Sequence, residues 1–192
     1  MLKKIIFLLV FSFSLPAWAG QGDAPLSPPE LVPASDHDPE HLTMFVTHFF
    51  RWWVDNNVRA SETEENTKEH AAVLREREET LKKTLMPSLW NQYQTYIKTQ
   101  ELIEEDGLVF PPLAPIDNFQ TPWRETAYAR LDFINNAAAQ LTVSFPETII
   151  LAPRPEWIFD RYSDYRDRSS LYLVALKPYQ GTWRIVKVHY TY

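Results

Sequence analysis

The chain has 192 residues, a formal net charge of −6, seven tryptophans and no cysteine. Without thiols it supports neither thiol catalysis nor thiolate metal sites nor disulfide exchange. Its acidity disfavours nucleic acid and anionic lipid as partners, and its length suffices for one hydrophobic core without covalent staples.

The N-terminus has the three-part layout of a secretory signal peptide. Lys3 and Lys4 open it, an apolar run fills residues 5–15, and Pro16 leads into the small-x-small triplet Ala17, Trp18, Ala19. Cleavage is expected after Ala19. The run is shorter than the roughly 20 residues of a spanning helix, and no cysteine follows it to carry a lipid. The expected product is periplasmic, without a membrane anchor, and more acidic by the loss of Lys3 and Lys4.

Residues 20–37 contain Pro25, Pro28, Pro29 and Pro33, which predicts an extended lead segment without a fixed fold. A single domain is expected over 38–192. Its first helix should start at Asp38, where Asp caps the free amides, Pro39 suits the first helical position and Glu40 complements the positive helix end. Leu42, Phe45, Val46, Phe49 and Trp53 follow at helical spacing and predict a buried stripe. A charged second helix is expected over 61–85, opened by Ser61 and Glu64 at capping-box spacing, with Leu74, Leu81 and Leu85 as its apolar edge. A third is expected over 88–104, before a connector stiffened by Pro111, Pro112 and Pro115.

The period then changes from helical to alternating. Ala127, Ala129, Leu131 and Phe133 alternate with Tyr128, Arg130 and Asp132; after a turn at Asn135-Asn136, Leu141, Val143 and Phe145 alternate with Gln140, Thr142 and Ser144. This predicts a hairpin with one buried face, although Thr121-Pro122 could cap a helix instead. Residues 149–151 could prolong the second strand. Two further strands, 170–177 and 182–190, flank a turn at 178–181. The first of them is apolar on both faces, so both should be covered. Helices first and a meander second give an α+β fold, with N-terminal helices on a curved four-stranded antiparallel sheet.

The order signal peptide, aromatic helix, Leu85-Met86-Pro87-Ser88-Leu89-Trp90 and a Pro/Asp-rich connector, ending in 171–176 and Gly181-Thr182-Trp183-Arg184-Ile185, resembles a family of exported bacterial proteins. That family has the cone-like fold of nuclear transport factor 2, also called cystatin-like, and the resemblance spans most of 40–190. Its members often carry an Asp, a Phe and a Gln-Asp pair before the first strand. Asp117, Phe119 and Gln120 match, but Thr121 replaces the second acid. The fold hosts enzymes, binding modules and assembly domains, so the resemblance implies an architecture and not an activity.

No catalytic or cofactor motif stands out. Four glycines leave no phosphate-binding loop, and no serine sits in a nucleophile elbow. His37 and His41 are four apart, yet lack the carboxylate partner of a helical metal site, so no metal is expected. For an enzyme of lyase or isomerase type, the candidates are His189 as base, sharing a face with Trp183, Ile185 and Lys187, oriented by Asp132 or Asp117. His48 on the first helix is a further histidine near that cleft. For a binding protein, the candidates are Trp157, Phe159, Arg161, Tyr162, Tyr165 and Arg166 in the 156–168 loop, residue types that anchor interfaces. Trp53 and Trp183 would line an aromatic cleft. The preferred expectation is a non-enzymatic periplasmic binding protein without a cofactor. It would take a small ligand in the cleft or a protein partner with a basic surface, in one version as an inhibitor or immunity protein against a periplasm-acting toxin. A homodimer formed through the sheet is the third expectation.

Overall fold

The computed structural model describes residues 24–100, 113, 123–145 and 170–191. The signal segment, the connector with Asp117, Phe119 and Gln120, residues 149–151 and the 156–168 loop lie outside them.

Helix α1 (Pro39–Glu62) starts where the caps place it, with the Asp38 carboxylate accepting from the Glu40 amide at 2.8 Å. Leu42, Phe45, Val46, Phe49 and Trp53 are buried as expected, with Phe50 and Trp52 beside them. The helix runs further than its apolar stripe. Asp55 and Arg59 are paired four residues apart at 2.9 Å, which holds the helical phase past 59. Ser61 therefore falls in the last turn, its hydroxyl donating to the Val58 carbonyl at 2.8 Å. The expected helix start at Ser61 is thus displaced. Helix α2 (Lys68–Thr84) is capped by Thr67, whose hydroxyl accepts from the His70 amide at 3.1 Å. Asn66 makes the intervening turn at φ 66°, a left-handed conformation that Asn tolerates. In α2 Leu81 is buried and Leu85 closes the helix in the core, whereas Leu74 is exposed and Val73 takes the inward place. Helix α3 (Pro87–Gln100) buries Leu89, Tyr93 and Tyr96. A single helical turn, α4 (Trp123–Thr126), precedes the sheet, so the helix and strand readings after Thr121-Pro122 both hold in part.

Strands β1 (Tyr128–Ile134), β2 (Ala139–Phe145), β3 (Ser170–Tyr179) and β4 (Thr182–Thr191) form an open antiparallel sheet in the order β1-β2-β3-β4. The Asn135 carboxamide accepts from the Ala137 and Ala138 amides at 2.8 Å each, closing the first hairpin. Gln180 (φ 48°) and Gly181 (φ 79°) close the last one in the two-residue turn whose twist suits a hairpin. α1 packs across β1 and β2, while α2 and α3 meet β4. The inward side chains Ala129, Leu141, Val143, Tyr172, Val174, Leu176, Trp183 and Ile185 join the helices in one core. The fold is α+β, helices on one side of a four-stranded antiparallel sheet.

Two bulges change which face carries what. Asp132 is the extra residue between the pairs Leu131↔Leu141 and Phe133↔Gln140, and Val186 the extra one between Leu176↔Ile185 and Ala175↔Lys187. An inserted residue reverses the alternation beyond it. Phe133 therefore points outward, 52% exposed, instead of into the core. His189 and Lys187 likewise face away from Trp183 and Ile185, correcting the shared face that strict alternation predicts.

The lead segment also differs from expectation. Residues 24–37 have a fixed course along α1 to the rim of β4. The Trp183 amide donates to the Val32 carbonyl at 2.9 Å and the Ala34 amide to the Gly181 carbonyl at 2.8 Å. The Met86 amide covers the next position, donating to the Ile185 carbonyl at 2.8 Å. At the opposite edge, side chains of α1 serve β1. The Thr47 hydroxyl accepts from the Ala129 amide at 2.9 Å, and Arg51 Nε donates to the Ala127 carbonyl at 2.8 Å.

Candidate functional site

Among the described residues, three regions stand out for polar or exposed groups that the core does not absorb. The first lies between α1 and α2. Buried Asp55 accepts from the Leu26 amide at 3.1 Å and from Arg59 at 2.9 Å through one oxygen, and meets Arg124 at 2.9 Å through the other. Glu76 accepts from Arg59 at 2.6 Å and from the Trp52 indole at 2.9 Å. Burial pushes the Glu76 carboxyl up, but the hydrogen bonds from Arg59 and Trp52 outweigh it and hold it below its ordinary value. Arg77 donates to the Asn56 carboxamide at 2.7 Å and lies 5.5 Å from the centre of the Trp53 ring. Its burial lowers the guanidinium pKa, and burial raises that of the neighbouring Tyr93. This layer is a saturated clamp joining lead, α1, α2 and α4. Each carboxylate oxygen of Asp55 is engaged, which suits fixation better than proton transfer. The Asp55/Arg59 spacing of four was the one sequence signal that could have revealed it.

The second region is a groove of about 780 Å³ between the lead and the outward stripe of α1. Leu26, Leu31, Val32, Met44 and Phe45 supply its apolar lining, and Glu30, Asp36, His41, His48 and Arg51 its charged or titratable groups. Met44 is 62% exposed. At one end the His41 imidazole bonds the Asp36 carboxylate at 2.7 Å. The Asp38 amide and then His41 hold the Asp36 carboxyl below its ordinary value, and the same bond raises His41 above the ordinary imidazole value.

The third is the outer face of the sheet, away from the helices. Tyr128 (50% exposed) and Phe133 stand on β1. Across from them, Gln140 and Thr142 form a polar column on β2, half-buried Leu173 and Ala175 an apolar one on β3, and Lys187 and His189 an exposed column on β4. Asp132 and His189 both belong to this face. They are not brought together: Asp132 accepts from the Thr142 hydroxyl at 2.6 Å and bonds Arg130 at 3.2 Å. Three strand spacings separate β1 from β4, about 14 Å, and Leu173 stands between. An acid and base so placed cannot share a proton.

The remaining sequence candidates fall as follows. Trp53 and Trp183 are fully buried in the core instead of lining the groove, Trp183 with its indole donating to the Asp36 carbonyl at 2.7 Å. His37 packs edge-on against Trp183 at 5.7 Å and His41 is held by Asp36, so the pair is not assembled as metal ligands. Half-buried His48 lines the groove. Asp117 lies outside the described residues, as do Trp157, Phe159, Arg161, Tyr162, Tyr165 and Arg166; the latter six belong to the segment joining β2 to β3. Among the described residues no group of three or more His, Asp or Glu side chains could hold a metal, and no helix is long and apolar enough to cross a membrane. Comparison of the chain with protein-family models, with curated proteins and with solved structures finds no match.

Proposed function

We propose that the chain is an exported, non-enzymatic interaction protein that meets a protein partner through the outer face of its sheet. One observation carries the reading: Tyr128 and Phe133 stand half exposed there, at 50% and 52%, with Arg130 between them on the same strand. Exposed aromatic side chains beside arginine are the residue types that anchor protein interfaces. The segment joining β2 to β3 leaves and returns at Phe145 and Ser170, which pair beside the Tyr128 end of this face. Trp157 and Arg161 belong to that segment in sequence.

The signal-peptide layout supports a periplasmic location. The net charge of −6 favours a partner with a basic surface, and an inhibitor or immunity protein is one concrete form. The order of helices before an antiparallel meander supports the resemblance to cone-like exported proteins. A second copy of the chain is the alternative occupant of the same face.

A photo-crosslinking residue at Phe133 in living cells tests this, with one at exposed Glu78 on α2 as control. The expected result is a discrete adduct from position 133 alone, lost when Tyr128→Asp is added while the fold is retained. Equal labelling from both positions, or none from 133, would overturn the reading. An adduct of twice the chain mass identifies the dimer instead.

A further inference from the structure

The groove between the lead and α1 is a separate matter from the outer face. His41, Met44, His48 and Arg51 recur at helical spacing, so one stripe of α1 forms its floor. At 1.5 Å per residue the floor is about 15 Å long. Its two ends differ. Asp36 and His41 satisfy each other at the first. At the second, Arg51 commits Nε to the Ala127 carbonyl, which fixes the guanidinium and leaves both terminal amino groups. Arg59 and Arg124 are paired with carboxylates; Arg51, half-buried, forms no ion pair with the described residues. His48 stands one turn before it.

The geometry points to a binding site for a small amphipathic carboxylate, its head on Arg51 and its aliphatic chain over Met44 and Leu31. The volume suits a small molecule, and an apolar trough with one oriented cation suits a single anionic head. The two amino groups of a guanidinium edge match the two oxygens of a carboxylate. A dianion is less well served. Glu30 and Asp36 also border the groove, and the chain as a whole is acidic, so a second negative charge meets repulsion.

Octanoate is the probe, with octan-1-ol as its neutral counterpart and octyl phosphate as the dianion, each titrated into the ¹⁵N-labelled mature protein. Octanoate should shift the amides of Met44, His48 and Arg51. Arg51→Gln, which keeps a donor for Ala127, should weaken octanoate by about tenfold, the worth of a charge-assisted hydrogen bond, and leave octanol unchanged. Glu30→Gln, on the exposed side of the lead, should tighten octanoate and octyl phosphate without affecting octanol. If Arg51→Gln fails to fold, the Glu30 variant carries the test alone. Equal affinity for octanoate and octanol overturns the assignment, as does octanoate binding indifferent to both substitutions. Shifts confined to Tyr128, Phe133 and Leu173 also overturn it, and would leave the interaction reading of the outer face standing.

Discussion

Asp36 and His41 meet at 2.7 Å on the surface, and their linkage to pH follows from the opposite directions of their shifts. His41 is raised, so its contribution is complete below the ordinary imidazole value and disappears as pH rises through the raised one. Asp36 is lowered, so its contribution is complete above the ordinary carboxyl value and disappears as pH falls through the lowered one. The contact is intact between those two limits. NMR titration of the His41 ring should give a midpoint above that of an exposed histidine, moving down in Asp36→Asn. His41 was visible in sequence, weighed with His37 as a metal pair, but Asp36 was not singled out and neither was their pairing. It depends on where the lead turns at the foot of α1, which no spacing encodes. Trp53 and Trp183 carry a similar lesson. A large aromatic side chain serves a core as readily as a cleft, and both are in the core.

At the level of elements, α1 was legible because three independent signals agree on its start and the apolar stripe fixes its inward face. The second helix was not, because Ser61 and Thr67 are equally good caps by local chemistry. The longer-range tie of Arg59 to Glu76 on α2 decides between them. The strands were legible in place and pairing, but Asp132 and Val186 are invisible to a period-two pattern, and each sends the residues beyond it to the other face. The β3–β4 turn is more strictly encoded. Gly181 sits at φ 79° with open space where a Cβ would stand, so Gly181→Ala meets no clash and pays only the left-handed conformation. A loss of about 1 kcal/mol is expected in urea unfolding, with the fold and Trp183 burial retained.

For the molecule as a whole, the α+β class was legible from the change of period, while the place of the lead was not. Proline-rich composition reads as unstructured, yet Val32 is buried and Leu26 and Val32 supply backbone bonds to Asp55 and Trp183. A chain lacking residues 20–33 should unfold at lower urea, because Val32 leaves the core and both the Asp55 carboxylate and the Trp183 amide lose a main-chain partner. Hydrogen exchange should report it at the Trp183 amide, which loses its acceptor; unchanged protection there would refute the strap. Among the described residues the two rims of the sheet are guarded differently. The turn end of β4 bonds main chain, from the lead and from Met86, whereas the start of β1 bonds the side chains of Thr47 and Arg51. A single substitution such as Thr47→Val therefore frees an edge amide on β1 for pairing with another chain, while no one side-chain change does so at Trp183 or Met86.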